Sequence, residues 1–289
     1  MSGSRPLPAS GTPVDGHVHL YAGHDHRRVL DAAVRSMRPV RADQSRDDEF
    51  TACGILCLTE DRNHDSFSRL AEGRAEIPGW SIVSTGEAES LWATRADGAR
   101  LLLVAGFQVV TAEGLEVLAL GTSNRPEDGL ALDATTHAIA ASSGLPVLPW
   151  AFGKWWFGRG KTLVRHLAAS GRTDLWLGDN GGRPPLLPGA APYALGSRFG
   201  LVVLPGSDPL PISGHEERAG SYGFVLPGDV PEVWPAQWFK DTVTSLEANP
   251  PAYGGRSGWL RFVRDQAALR KPSAGSQGSG ARAMSGSGQ

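Results

Sequence analysis

Two histidines one residue apart, His17 and His19, lie in the apolar-flanked run Asp15-Gly16-His17-Val18-His19-Leu20. On a β-strand, residues i and i+2 share a face. The run therefore predicts two imidazoles side by side, with Asp15 one step earlier on that face. Two neutral imidazoles at such a separation can share one divalent ion. A second chemistry-bearing stretch spans 150–162, where aromatic and basic residues alternate. As a loop after a strand it would line a pocket, with Trp155 flanking a substrate and Lys154, Arg159 or Lys161 meeting an anionic group near a helix N-terminus. Packing of those aromatics as a plain lid is the alternative. Gly160-Lys161-Thr162 is not a phosphate loop, because the first glycine of that motif would fall at Trp155.

The positioning elements follow from periodicity. Strands are expected at 13–20, 52–58, 80–84, 145–150, 175–177 and 201–204, and helices near 27–38, 65–71, 131–142, 161–169, 192–198, 236–247 and 259–269. The last two helices are expected to pack on the outside. Segments 90–94, 100–110 and 115–120, joined by Gly-containing turns, read as an antiparallel meander inserted at about 90–121. Repeated β-α units with apolar strands imply a mostly parallel sheet, open or closed, with its active site at the carboxyl ends of the strands. Polar residues collect at those ends: His17 and His19, then Thr59-Glu60-Asp61, Thr85-Gly86-Glu87, Asp179-Asn180 and Gly206-Ser207-Asp208. His24-Asp25-His26 reads as a solvated helix cap, and His64, His137 and His166 as surface positions on helices.

The opening His-x-His and the closing Gly206-Ser207-Asp208 resemble motifs of the polymerase-and-histidinol-phosphatase (PHP) family of metal-dependent hydrolases and, more distantly, of the amidohydrolase superfamily. Stretches 54–61, 77–87, 115–121 and 144–150 resemble the intervening family motifs in order and spacing. Asp61, Glu116 and the Pro149-Trp150 corner stand where the family carries histidines, and Leu210 stands where one is expected after Asp208. The resemblance implies a distorted α/β barrel, a (β/α) barrel of about seven to eight strands. It also implies a reduced metal site drawn from His17, His19, Glu87, Glu116 and Asp208, with His215 as a substitute ligand. One or two Zn²⁺, Mn²⁺ or Fe²⁺ ions would suit such donors, and Asp208 or Glu60 would take a proton from an activated water. Asp179 and the 154–161 loop would contact substrate.

Bulk properties narrow the function. The chain has 289 residues, 20% charged and 40% hydrophobic, with net charge −2, so no basic field marks a nucleic-acid or membrane-surface binder. Its two cysteines, Cys53 and Cys57, have neither zinc-pair nor disulfide-framework spacing and read as core thiols in a reducing compartment. There is no signal-peptide pattern and no run long enough to span a bilayer, which points to the cytoplasm. One domain is expected at 13–271, between a loose start (1–12) and a disordered Gly/Ser-rich tail (272–289). The expected function is a phosphoesterase-like, metal-dependent hydrolase of a small, anionic molecule. Amide or lactone hydrolysis is one alternative, and a catalytically degenerate barrel that binds a ligand or partner is the other.

Overall fold

The computed structural model describes residues 11–41, 54–150, 157–170, 174–184 and 191–270. Elements are numbered in chain order. The first sheet runs β12 (Ala252–Gly254), β11 (Tyr222–Pro227), β1 (Gly11–Val18), β2 (Gly54–Leu58), β5 (Arg100–Val104), β4 (Ser90–Arg95), β3 (Trp80–Ser84). The second runs β10 (Val203–Gly206), β9 (Trp176–Asn180), β8 (Leu145–Pro149), β7 (Glu116–Leu120), β6 (Gly106–Val110). The described helices are α1 (His26–Arg41), α2 (Ser66–Ala71), α3 (Leu132–Ala141), α4 (Phe157–Ser170), α5 (Ala191–Arg198), α6 (Pro235–Thr244) and α7 (Trp259–Leu269). None is long and apolar enough to cross a membrane.

Strand periodicity builds the layers. On β2, Leu56 and Leu58 face α1 and pack with Leu30 and Met37. The alternate residues, Ile55 and Cys57, face the second sheet and pack with Leu118, Leu120 and Leu204. β7 repeats the device: Val117 and Ala119 turn the other way, against Ile139 of α3 and Leu163 of α4. Continuous burial of β1 and β2 follows from this covering on both faces. Cys57 is such a core residue, with a free, buried thiol; Cys53 lies outside the described residues.

The structure corrects the barrel expectation. Both sheets are mixed and neither closes. β1–β2–β5 and β8–β9–β10 are parallel, but β11, a strand absent from the sequence expectation, pairs antiparallel with β1. The meander expected at 90–121 is split. β4 and β5 join the first sheet and β6 and β7 the second. The break falls at Gly106, where a Cβ would come within 2.5 Å of Leu58 O and 2.6 Å of Ala119 O; only glycine lets the chain pass between the sheets there.

The sheets also meet where the end of β1 approaches the edge strand β10 without forming a ladder. A Cβ on Gly206 would lie 2.5 Å from the backbone N of His17, and one on Gly16 2.9 Å from Pro205 O. The two glycines of the His-x-His and Gly-Ser-Asp runs are thus required by close approach. Gly206→Ala is expected to destabilise the chain by about 1–3 kcal/mol through overpacking. Gly255→Ala, with nothing within 4 Å of the added methyl, should stay within about 0.5 kcal/mol. Urea denaturation of the two variants checks this.

Candidate metal centre

His17 ends β1 beside Val18, and His19 follows it. Their Nε2 atoms lie 3.0 Å apart and their ring centroids 4.9 Å apart, so the expected convergence of the two imidazoles is present. Asp208 enters from the end of β10. Its Oδ1 lies 3.6 Å from each of the two Nε2 atoms. Among the described residues these three form the cluster of metal-ligating atoms. A point equidistant from the three atoms lies about 2.0 Å from each, the N/O bond length of a first-row divalent ion. The donor set therefore fits such an ion in both chemistry and size.

Asp208 adopts a left-handed backbone conformation, φ 48°, which aspartate tolerates better than most residues. Its N–H donates to His17 O at 2.9 Å, tying the third ligand to the first through main chain. His19 is buried, and burial together with neighbouring His17 pulls its pKa down to about 3. It is a neutral imidazole at physiological pH, as a ligand must be. Tyr21 stacks on His19 at 4.9 Å. Burial, then the carboxylates of Asp208 and Asp61, push its phenol well up, so it stays protonated.

Asp15 is not on the metal-facing side. Its Oδ1 accepts from Ser207 N–H (2.8 Å) and His17 N–H (3.2 Å), and its Oδ2 from Gly220 N–H (2.8 Å) and the Ser207 hydroxyl. The pairing of β1 with β2 shifts register between Asp15 and Val18, which turns Asp15 into the junction with β10. Burial pushes its pKa up to about 6 against these four donors.

The other expected site residues scatter. Glu116 reaches the same cavity, held by Gln108 Nε2 at 3.1 Å, but stands outside the triad. Glu60 turns away: its Oε1 accepts Phe67 N–H at 2.8 Å, at the start of α2, in a separate crevice of about 120 Å³. Glu87 accepts the N–H groups of Ala236 (2.7 Å) and Gln237 (3.0 Å) and so caps α6. His215 has both ring nitrogens engaged, Nδ1 by Leu210 N–H at 3.1 Å and Nε2 by Asp265 at 3.2 Å. Asp179 is a scaffold, binding Arg183 at 2.7 Å and Tyr222 at 2.8 Å. Lys161 is exposed, and Arg159 leans on Gly114 O at 3.4 Å. Lys154 and Trp155 lie outside the described residues.

Sequence reasoning missed several cavity residues. The cavity, about 260 Å³, includes Tyr21, Gln108 and Asn180 and is covered by α7 through Phe262, Asp265, Gln266 and Leu269. α7 therefore packs over the site as well as facing outward. The available signal was an acid inside an apolar stripe: Asp265 falls three residues after Phe262 and four before Leu269, and it is buried with Arg218 and His215. His64, expected at a surface, instead pairs with Asp61 at 2.6 Å, its ring edge against Tyr21.

No family model matches the chain, and no curated protein matches it. A solved structure, PsfC from Pseudomonas syringae PB-5123, is similar: 17% identity, TM-score 0.55, covering 90% of this chain and 98% of that one. At this identity the likeness shows a shared fold.

Asp15→Asn places an amide N–H₂ against the Gly220 or Ser207 donors and leaves a buried N–H unpaired. A loss of about 1–3 kcal/mol is expected by urea denaturation. The pH dependence isolates His19. In the metal-free chain, unfolded His19 takes up its proton near 6.5 and folded His19 only near 3. Its contribution to stability is present above about 6.5 and is lost as pH falls through that window. Asp15 has the opposite sign: its contribution is present below 3.8 and lost as pH rises through about 6. Relative to the unaltered chain, His19→Gln should therefore gain up to about 1.4 kcal/mol per pH unit on acidification from 6.5 to 4. A pH-independent difference in urea midpoints would contradict a neutral buried His19.

Proposed function

We propose that this chain is a metal-dependent hydrolase, with His17, His19 and Asp208 holding one divalent ion, Zn²⁺, Mn²⁺ or Fe²⁺. The observation that supports it is the equidistant point about 2.0 Å from two imidazole nitrogens and a carboxylate oxygen, on the wall of a cavity sized for a small molecule. The reading rests also on the resemblance of the His-x-His and Gly-Ser-Asp runs to those of PHP hydrolases. A bound divalent ion supplies Lewis acidity and brings the pKa of a coordinated water toward ~7.

The chain's own residues divide the remaining work. Asp208 has Oδ1 in the triad and Oδ2 on Asn180, so the proton-accepting role passes to Glu116, oriented by Gln108. Gln108 and Gln266 offer amide hydrogen bonds to substrate, and Trp150, Phe262 and Leu269 exclude water. The described lining carries the carboxylates of Glu116, Asp208 and Asp265 and no lysine or arginine. That wall suits a neutral amide or lactone better than a phosphoester. The phosphoester reading keeps the PHP resemblance and, in sequence, Lys154 four residues after Trp150.

Elemental analysis of the chain after incubation with Zn²⁺ or Mn²⁺ tests the centre. About one ion per chain is expected, lost in His17→Ala and in Asp208→Ala. Absence of an ion that these variants lose contradicts the proposal. In amide, lactone and phosphoester screens, Glu116→Gln should keep the ion and lower turnover by roughly 10²-fold or more. Metal retention with no turnover in the unaltered chain would instead favour a binding module.

A further inference from the structure

Asn180 lies outside the His17–His19–Asp208 cluster, yet its side-chain amide donates to it. It ends β9, is buried, and faces Asp208. Its Oδ1 accepts Gly182 N–H at 2.6 Å. That bond fixes which end of the amide is which, so Nδ2 is the end that meets Asp208 Oδ2. The same Nδ2 also lies 3.4 Å from Trp150 O. The backbone beneath is fixed as well, since Asn180 N–H donates to Asp179 Oδ1 at 3.0 Å. Asp179 in turn is held by Arg183 and by the hydroxyls of Tyr193 (3.3 Å) and Tyr222 (2.8 Å).

A carboxylate on a loop turns freely about its side-chain bonds unless one oxygen is engaged. With Oδ2 engaged, Oδ1 is left aimed 3.6 Å from both imidazoles. Outer partners of this kind set the orientation and basicity of a metal-binding carboxylate. We propose that Asn180 is the positioning residue of the metal centre, holding Asp208 as a one-oxygen ligand. The inference rests on the metal-centre reading above. It assigns Asn180, and Asp179 beneath it, a role in ligand geometry, where the sequence suggested substrate contact for Asp179.

The test loads the full chain with Co²⁺, records its d–d absorption bands, and measures Zn²⁺ affinity by competition with a chromophoric chelator. Asn180→Leu keeps the volume and removes the donor. Affinity should fall by roughly 10–100-fold with displaced Co²⁺ bands, while circular dichroism and the urea midpoint of the metal-free protein report the fold. Should the leucine variant not fold, Asn180→Ser decides, because its shorter hydroxyl falls short of Asp208 and shifts the bands in the same way. A folded variant with unchanged bands and affinity within twofold overturns the inference while leaving the metal centre standing. An unaltered chain that takes up neither ion overturns both.

Discussion

The candidate site depends on how Asp15 ties the end of β1 to the end of β10 across the two packed sheets. One buried carboxylate gathers the N–H groups of His17, Ser207 and Gly220 and the hydroxyl of Ser207. These donors come from β1, the end of β10 and the turn before β11. The bonds fix, in one place, the strand that leads into His17 and His19 and the loop that carries Asp208. Gly16 and Gly206 permit the approach sterically, and Asp208 N–H to His17 O completes it. Burying a carboxylate is costly, as its raised pKa shows; four donors make it tolerable. In return, the three atoms of the proposed centre are already in place, so little ordering entropy would oppose the binding of an ion.

Positioning residues extend outward from that junction. Asn180 aims Asp208 and stands on the Asp179–Arg183–Tyr222 scaffold. α7 covers the cavity and is anchored by Asp265 between His215 and Arg218. Glu87, expected near the metal, stabilises the start of α6. Several polar residues at strand ends therefore hold the frame of the site, and a smaller set faces the cavity.

Much of this was legible from residue pattern. The alternation of apolar strands and amphipathic helices gives most elements within a few residues, and β3 and α7 match their expected spans. The pairing of His17 with His19 follows from strand periodicity, and its meeting with Asp208 from the strand-end place of Gly206-Ser207-Asp208 and the PHP resemblance of that run. Other features depend on information that local pattern lacks. A strand such as β11 is recognised by its partner β1, over 200 residues away, and whether a sheet closes depends on such pairings. Glu60, Glu87 and Glu116 look alike in sequence, each an acid at a strand end or start. What separates them is which N–H or amide each one meets across the fold.

X-ray absorption at the metal edge, on the chain loaded with one equivalent of Zn²⁺, tests the central claim most directly. The account predicts a first shell of nitrogen and oxygen at about 2.0–2.1 Å, with the outer-shell signature of two imidazoles that disappears in His17→Ala/His19→Ala. A zinc shell without imidazole scattering, or one unchanged by that double substitution, would contradict it.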